Sequence, residues 1–185
     1  MTLRRFLVAG AITAALVPLG GCGAATPPPP PSGSARTASD VAFLQSMLPH
    51  HIQAIAIASQ AESRARSPEV KALAIRVDLS HAGDVAEMTT LLREWGEARP
   101  QPGADGPLLL PKVGPEQLEQ LAATAGPAFD RMFLQLLAAQ HRGPLELARG
   151  ELAAGRDPRV IQLAAEIAVD QQAEATEMQA LLARV

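Results

Sequence analysis

Asp40-Val41-Ala42-Phe43-Leu44-Gln45 and Asp130-Arg131-Met132-Phe133-Leu134-Gln135 carry one motif, Asp-x-x-Phe-Leu-Gln, at two places 90 residues apart. The same offset, without a gap, carries His51 onto His141 and Pro68-x-Val70-x-x-Leu73-Ala74 onto Pro158-x-Val160-x-x-Leu163-Ala164. It also carries Glu87-Met88-x-x-Leu91-Leu92 onto Glu177-Met178-x-x-Leu181-Leu182. Self-similarity at a fixed period means one supersecondary unit used twice, each copy burying its apolar face against the other. The offset is also an internal alignment. A polar residue kept at an apolar position in both copies needs a reason, and function is to be sought there.

The unit is helical. Val70, Leu73, Val77, Met88, Leu91 and Trp95 recur at spacings of three and four, as do Val160, Leu163, Ile167, Met178 and Leu181, the period of an amphipathic helix. Ser67-Pro68 and Asp157-Pro158 each place a capping side chain before a proline, the signature of a helix start. The pattern predicts helices over 40–65, 68–96, 115–154 and 158–184, with Pro49, Pro127 and Pro144 kinking those that contain them. Strand signals are absent. The expected fold is all-α: a four-helix bundle over 40–185, built from two repeated helical hairpins. Repeat 1 covers 40–96 and repeat 2 covers 130–185; the Pro- and Gly-rich segment 98–114 links them.

Outward from the bundle, the chain begins Met1-Thr2-Leu3-Arg4-Arg5, followed by an apolar run from Phe6 to Leu19 and then Gly20-Gly21-Cys22. A charged start, a short apolar core and small residues before a cleavage point make residues 1–21 a secretory signal. The run falls short of the roughly 20 apolar residues needed to span a bilayer. Leu19-Gly20-Gly21-Cys22 resembles a lipobox, which makes Cys22 the expected lipidation site and places the protein outside the cytoplasm, anchored to the bacterial membrane by that lipid. Cys22 is the only cysteine, so an internal disulfide is excluded. Residues 22–39, with Pro27 to Pro31 among small polar residues, read as an extended tether. Loss of Arg4 and Arg5 with the signal takes the formal charge from −3 to −5. No basic cluster remains to recruit nucleic acid.

The apolar stripes are interrupted at matching places. His81 and Asp84 lie between Val77 and Met88, and Gln171 and Glu174 lie between Ile167 and Met178. His51 follows Phe43 and Met47 at a spacing of four, and His141 follows Phe133 and Leu137 likewise. Counted from Ser67, His51 is 16 residues before the turn, and His81 and Asp84 are 14 and 17 after it. Counted from Asp157, His141 is 16 before, and Gln171 and Glu174 are 14 and 17 after. Equal distance from a hairpin turn means equal depth, so each hairpin should carry one polar layer. Met47 and Met88 follow about 6 Å further along at 1.5 Å per residue. His50, about 100° round the helix from His51, is expected at the helix seam or on a partner surface.

A buried imidazole or carboxylate is costly unless paired or metal-bound. His, carboxylate and Met are also ligand types for copper and zinc. The candidate metal residues are therefore Met47, His50, His51, His81, Asp84 and Met88 in the first hairpin. Their second-copy counterparts of interest are His141, Gln171, Glu174 and Met178. The second copy is poorer in ligands, with Gln140, Gln171 and Leu137 in place of His50, His81 and Met47, so a single asymmetric site in the first hairpin is expected. The alternative is structural: His51 with Asp84, and His141 with Glu174, as hydrogen-bonded pairs that fix register, the methionines being core filler.

Phe43-x-x-x-Met47-x-x-His50-His51-x-x-Ala54-x-x-x-Ala58, then Pro68-Glu69-Val70 and Met88 to Trp95-Gly96, resemble the DUF305 family, over the whole region from Asp40 to Val185. The resemblance implies a ferritin-like four-helix bundle, usually exported, with some members binding copper through Met and His. By position, Met47, His50, His51 and Met88 match the family pattern in the first half; His141, Gln171, Glu174 and Met178 match it in the second. Where the family often has Gln and then a carboxylate, this chain has His81 and Asp84. Ile57 and Leu147 stand where a second Met is common, and Gln140 breaks the second histidine pair. Fewer thioethers and an added imidazole favour Cu(II) or zinc over Cu(I).

The leading expectation is an exported, lipid-anchored, copper-type metal-binding protein that sequesters or handles metal outside the cytoplasm. The competing one is a metal-free envelope interaction module. Catalysis is not expected: no Glu-x-x-His pair of the di-iron bundles occurs, and neither a glycine-rich phosphate loop nor a serine triad signature is present.

Overall fold

The computed structural model describes residues 36–101, 106, 107, 110 and 112–185. The expected signal, Cys22 and most of the expected tether lie outside the described residues. Among the described residues seven helices follow in order: α1 Ala38–Ala58, α2 Ala61–Arg64, α3 Pro68–Glu94, α4 Pro115–Ala123, α5 Gly126–Gln140, α6 Arg142–Ala154 and α7 Pro158–Leu182. Among the described residues no strand occurs, and no helix is long and apolar enough to cross a membrane. The protein is all-α. α1 pairs with α3 in the first hairpin, and the α5–α6 column pairs with α7 in the second. The hairpins meet through α1 against α5 and α6 and through α3 against α7.

The long helices start where the sequence provides caps. Ser67 accepts from the Val70 amide and Asp157 from the Arg159 amide, with Pro68 and Pro158 at the first helical positions. Thr37 and Asp40 form a reciprocal capping box at the start of α1.

The helix expected over 115–154 is instead three. Gly126 precedes Pro127, whose ring disfavours the right-handed helical region for the residue before it, and Gly126 adopts φ +65°. A new helix therefore begins there. The second break, at His141, comes three residues before Pro144. Pro144 has no N–H for the Gln140 carbonyl one turn earlier. By contrast Pro49 sits inside an unbroken α1, and that helix stops at Ala58, earlier than expected, before the separate turn of α2.

The motif that opens each repeat holds the hairpins together. Asp130 accepts from the backbone amides of Arg66 and Ser67, both at 2.9 Å, in the turn of the first hairpin. Asp40 accepts from the amides of Arg156 (2.9 Å) and Asp157 (3.1 Å) in the turn of the second. Each hairpin thus caps the other's turn, the reciprocal contact of a two-fold interface within one chain.

The buried apolar residues form two clusters. One holds Ile57, Leu73, Val77, Phe133, Leu137 and Met178 among others; the second holds Phe43, Met47, Met88, Leu92, Leu163 and Ile167 among others. Along α1, α3, the α5–α6 column and α7 the chain passes from one cluster to the other. The residues at each crossing are His50 and His51, then His81 and Asp84, then Gln140 and His141, then Gln171 and Glu174. The core is cut by a polar layer.

Candidate metal centre

Each hairpin contributes the same pair to this layer. His51 Nε2 lies 3.2 Å from Asp84 Oδ2, and His141 Nε2 lies 2.7 Å from Glu174 Oε2. In both, the carboxylate is 33 residues after the imidazole. Equal distance from the hairpin turn therefore places these partners correctly.

It does not place His81. That side chain, 1% exposed, stands between the two hairpins. Its ring is 4.3 Å from that of His51 and 5.6 Å from that of His141. Its Nε2 is 3.5 Å from Glu174 Oε2, and neither of its nitrogens has a hydrogen-bond partner. His81, His141 and Glu174 each offer a ligand atom, and these atoms lie within 4.8 Å of one another. The grouping spans both hairpins, whereas the sequence assigned the site to the first alone. Spacing from a turn fixes depth but not which side chains face across the seam.

Of the two places expected for His50, the structure takes the helix seam. It is 1% exposed, on the seam but on no partner surface. Its Nε2 donates to the Gln140 carbonyl at 3.2 Å, the carbonyl that Pro144 leaves without its helical donor. The Nδ1 of His50 is then a bare, buried acceptor without a partner. Gln140 in turn donates to Gln53 Oε1 at 3.1 Å, and Gln53 clasps the N–H and carbonyl of Val113, both at 3.0 Å. This chain of bonds ties the end of the inter-hairpin connection to the layer.

The methionines sit beside the layer. Met47 and Met88 pack in one apolar cluster and Met178 in the other, all fully buried. Gln171, 1% exposed, has neither amide atom hydrogen-bonded.

Burial holds His50 and His51 well below the ordinary imidazole range, and the neighbouring histidines push the same way. Both are neutral at physiological pH, the state that can ligate a metal. Burial, together with the nearby Glu174, raises the Asp84 carboxyl to about 6. Burial also works to raise Glu174, but the hydrogen bond from His141 and the electrostatic influence of the nearby His81 outweigh it and hold that carboxyl at about 2. The layer thus keeps one buried carboxylate ionised beside imidazoles.

A metal would fit this donor set. His141 Nδ1 stands 2.9 Å from the Leu137 carbonyl, which can only accept, so Nδ1–H is fixed and Nε2 is the ligating nitrogen. A backbone carbonyl that orients a histidine through its other nitrogen is the usual outer support of a metal ligand. Two imidazoles and one carboxylate suit borderline divalent ions such as Cu(II) or zinc.

One buried acid had no sequence signal. Glu151, 2% exposed on α6, accepts from Ser39 Oγ at 3.1 Å and neighbours Asp40. Burial and Asp40 raise its carboxyl to about 7. Its counterpart 90 residues earlier is Ala61, so the internal alignment could not flag it.

No curated protein matches the chain. Among solved structures, it is similar to a DUF305 fragment from Deinococcus radiodurans, at 27% identity and TM-score 0.72, over 81% of this chain and 99% of that one. It is similar to a DUF305 protein from Streptomyces coelicolor at 24% identity and TM-score 0.73, over 79% of this chain and 93% of that one. It is also similar to CopM in its Cu(I)-bound form, at 26% identity and TM-score 0.65, over 78% of this chain and 96% of that one. CopM has been solved with silver and with Cu(II) bound as well. The sequence profile described as "Domain of unknown function (DUF305)" matches residues 40–182, and with that match this chain belongs to the DUF305 family.

Proposed function

We propose that this chain is an exported, lipid-anchored, copper-type metal-binding protein that sequesters or hands on a metal ion outside the cytoplasm and carries out no catalytic step. The observation that supports it most is the His81–His141–Glu174 group: three buried ligand atoms around one point, with both nitrogens of His81 left unpaired. Burying an imidazole without a partner is unfavourable in a metal-free protein. A bound cation relieves that cost. The likeness to CopM, solved with copper and silver, points the same way. The donor set here leans to Cu(II) or zinc, because the thioethers of Met47, Met88 and Met178 are packed among apolar side chains.

Elemental analysis of protein purified without chelator, followed by titration with Cu(I), Cu(II) and zinc, tests this reading. Affinity no tighter than that of an isolated peptide would sink it.

One observation favours a metal-free reading. His141 and Glu174 satisfy each other at 2.7 Å, and His51 and Asp84 do so at 3.2 Å, as structural pairs would. In that reading the layer fixes register for an interaction module. Metal would then leave the melting temperature unchanged, and His51→Leu would be tolerated or stabilising.

A further inference from the structure

The polar layer reaches the surface on one face, between α3 and α7, and that face is acidic. α3 contributes Asp84 and Glu87, three apart; α7 contributes Glu166, Asp170 and Glu174, four apart, so each set lies on one side of its helix. The two helices pack against each other. The five carboxylates are graded in burial. Glu87, Glu166 and Asp170 are exposed, the Asp84 side chain is 23% exposed, and that of Glu174 is 11% exposed.

They also feel one another. The Glu87 carboxyl is raised by partial burial and by the charges of Glu166 and Asp84. That of Asp170 is raised by partial burial and by Glu174, Asp84 and Glu166. Arg159, whose charge reaches Glu87, is bound to Glu94 at 2.7 Å and Asp157 at 3.2 Å. Glu166 accepts from Gln162 at 2.9 Å, a neutral partner that leaves its charge uncompensated.

A solvated acidic face alone would mean little. Here its innermost member, Glu174, is the carboxylate beside His81, and His81 is buried with both nitrogens unpaired. We propose that Glu87, Glu166 and Asp170 form an acidic vestibule that attracts divalent transition-metal cations and passes them by way of Asp84 to the His81–His141–Glu174 group. The inference rests on the metal-binding reading and adds the route of loading. Like charges lining a cleft concentrate a counter-ion and raise its rate of arrival, and this effect falls with ionic strength. They need not bind it tightly at the end. Asp84, already hydrogen-bonded to His51 and still reachable by water, is the natural first inner contact.

The experiment is stopped-flow mixing of the full chain with Cu(II), read by a fluorescent Cu(II) indicator, in low and in physiological salt. The variants are the triple Glu87→Gln, Glu166→Gln, Asp170→Asn and the single Glu166→Lys. The altered side chains are exposed, and circular dichroism checks that each variant folds; Glu166→Lys alone suffices if the triple does not. Association should slow by about threefold to tenfold in the triple variant and lose most of its salt dependence, with dissociation unchanged. Glu166→Lys should slow association by a comparable factor. Association as fast and as salt-dependent as in the unaltered chain would overturn the vestibule. So would unchanged association with faster dissociation, which would make these groups ligands instead. Absence of Cu(II) binding in the unaltered chain would overturn the metal reading itself, a result distinguishable from both.

Discussion

His81 is where the two halves of the chain differ most in consequence. Its counterpart by the 90-residue offset is Gln171, so this position carries an imidazole in the first hairpin and an amide in the second. His81→Gln should lower Cu(II) or zinc affinity at least about tenfold, measured by competition titration, because it removes a ligand while keeping a polar group of similar reach. Melting of the metal-free variant should change little, because His81 has no hydrogen bond to lose. His141→Ala should cost as much affinity and also destabilise the metal-free protein, since the Glu174 carboxyl would be left buried without its 2.7 Å partner. The residues of the layer were legible from the sequence because each stands in an otherwise apolar stripe. What the stripe could not reveal is the direction of His50, which follows from a proline in the other hairpin. Pro144 frees the Gln140 carbonyl, and His50 fills the vacancy.

At the scale of elements, two contacts set how the hairpins meet. Asp130→Ala would strand the amides of Arg66 and Ser67 in the first turn and should cost about 1–3 kcal/mol by denaturant unfolding. Asp40→Ala should cost at least as much, because Asp40 serves its own capping box as well. Both acids stood in the motif that defines the repeat, so their recurrence was visible from the start. Their role was not, because it joins residues 64 and 116 apart. Glu151, beside Asp40, predicts a pH effect. Its folded carboxyl is raised to about 7 from an ordinary 4.5. The stability it contributes is therefore fully present below about 4.5 and lost as pH rises through 7. Glu151→Gln should accordingly gain stability relative to the unaltered chain as pH is raised from 5 to 8, followed by thermal melts across that range. The helix breaks at Gly126 and His141 belong to this scale too. Proline positions were legible, but which prolines a helix tolerates depends on the packing around them, and Pro49 is held within α1 while Pro144 is not.

For the whole molecule, the point is that the candidate ion would join the hairpins. His81 comes from the first, and His141 and Glu174 come from the second, so the ligand group exists only when the two are docked. Binding to the folded state alone should raise the stability of the entire bundle, by about 2.7 kcal/mol at a free-metal concentration one hundred times Kd. The sequence showed the bundle and the depth of its polar layer, because the repeat and the helical period are local properties. It could not show the seam, since nothing in one hairpin's spacing fixes its rotation against the other. The most direct test is metal stoichiometry and affinity on the unaltered chain and on His81→Ala and His141→Ala, one substitution in each hairpin. The expected result is one tightly bound Cu(II) or zinc ion per chain, with affinity falling at least about tenfold in both variants. Binding that survives both substitutions, or none in the unaltered chain, would contradict it.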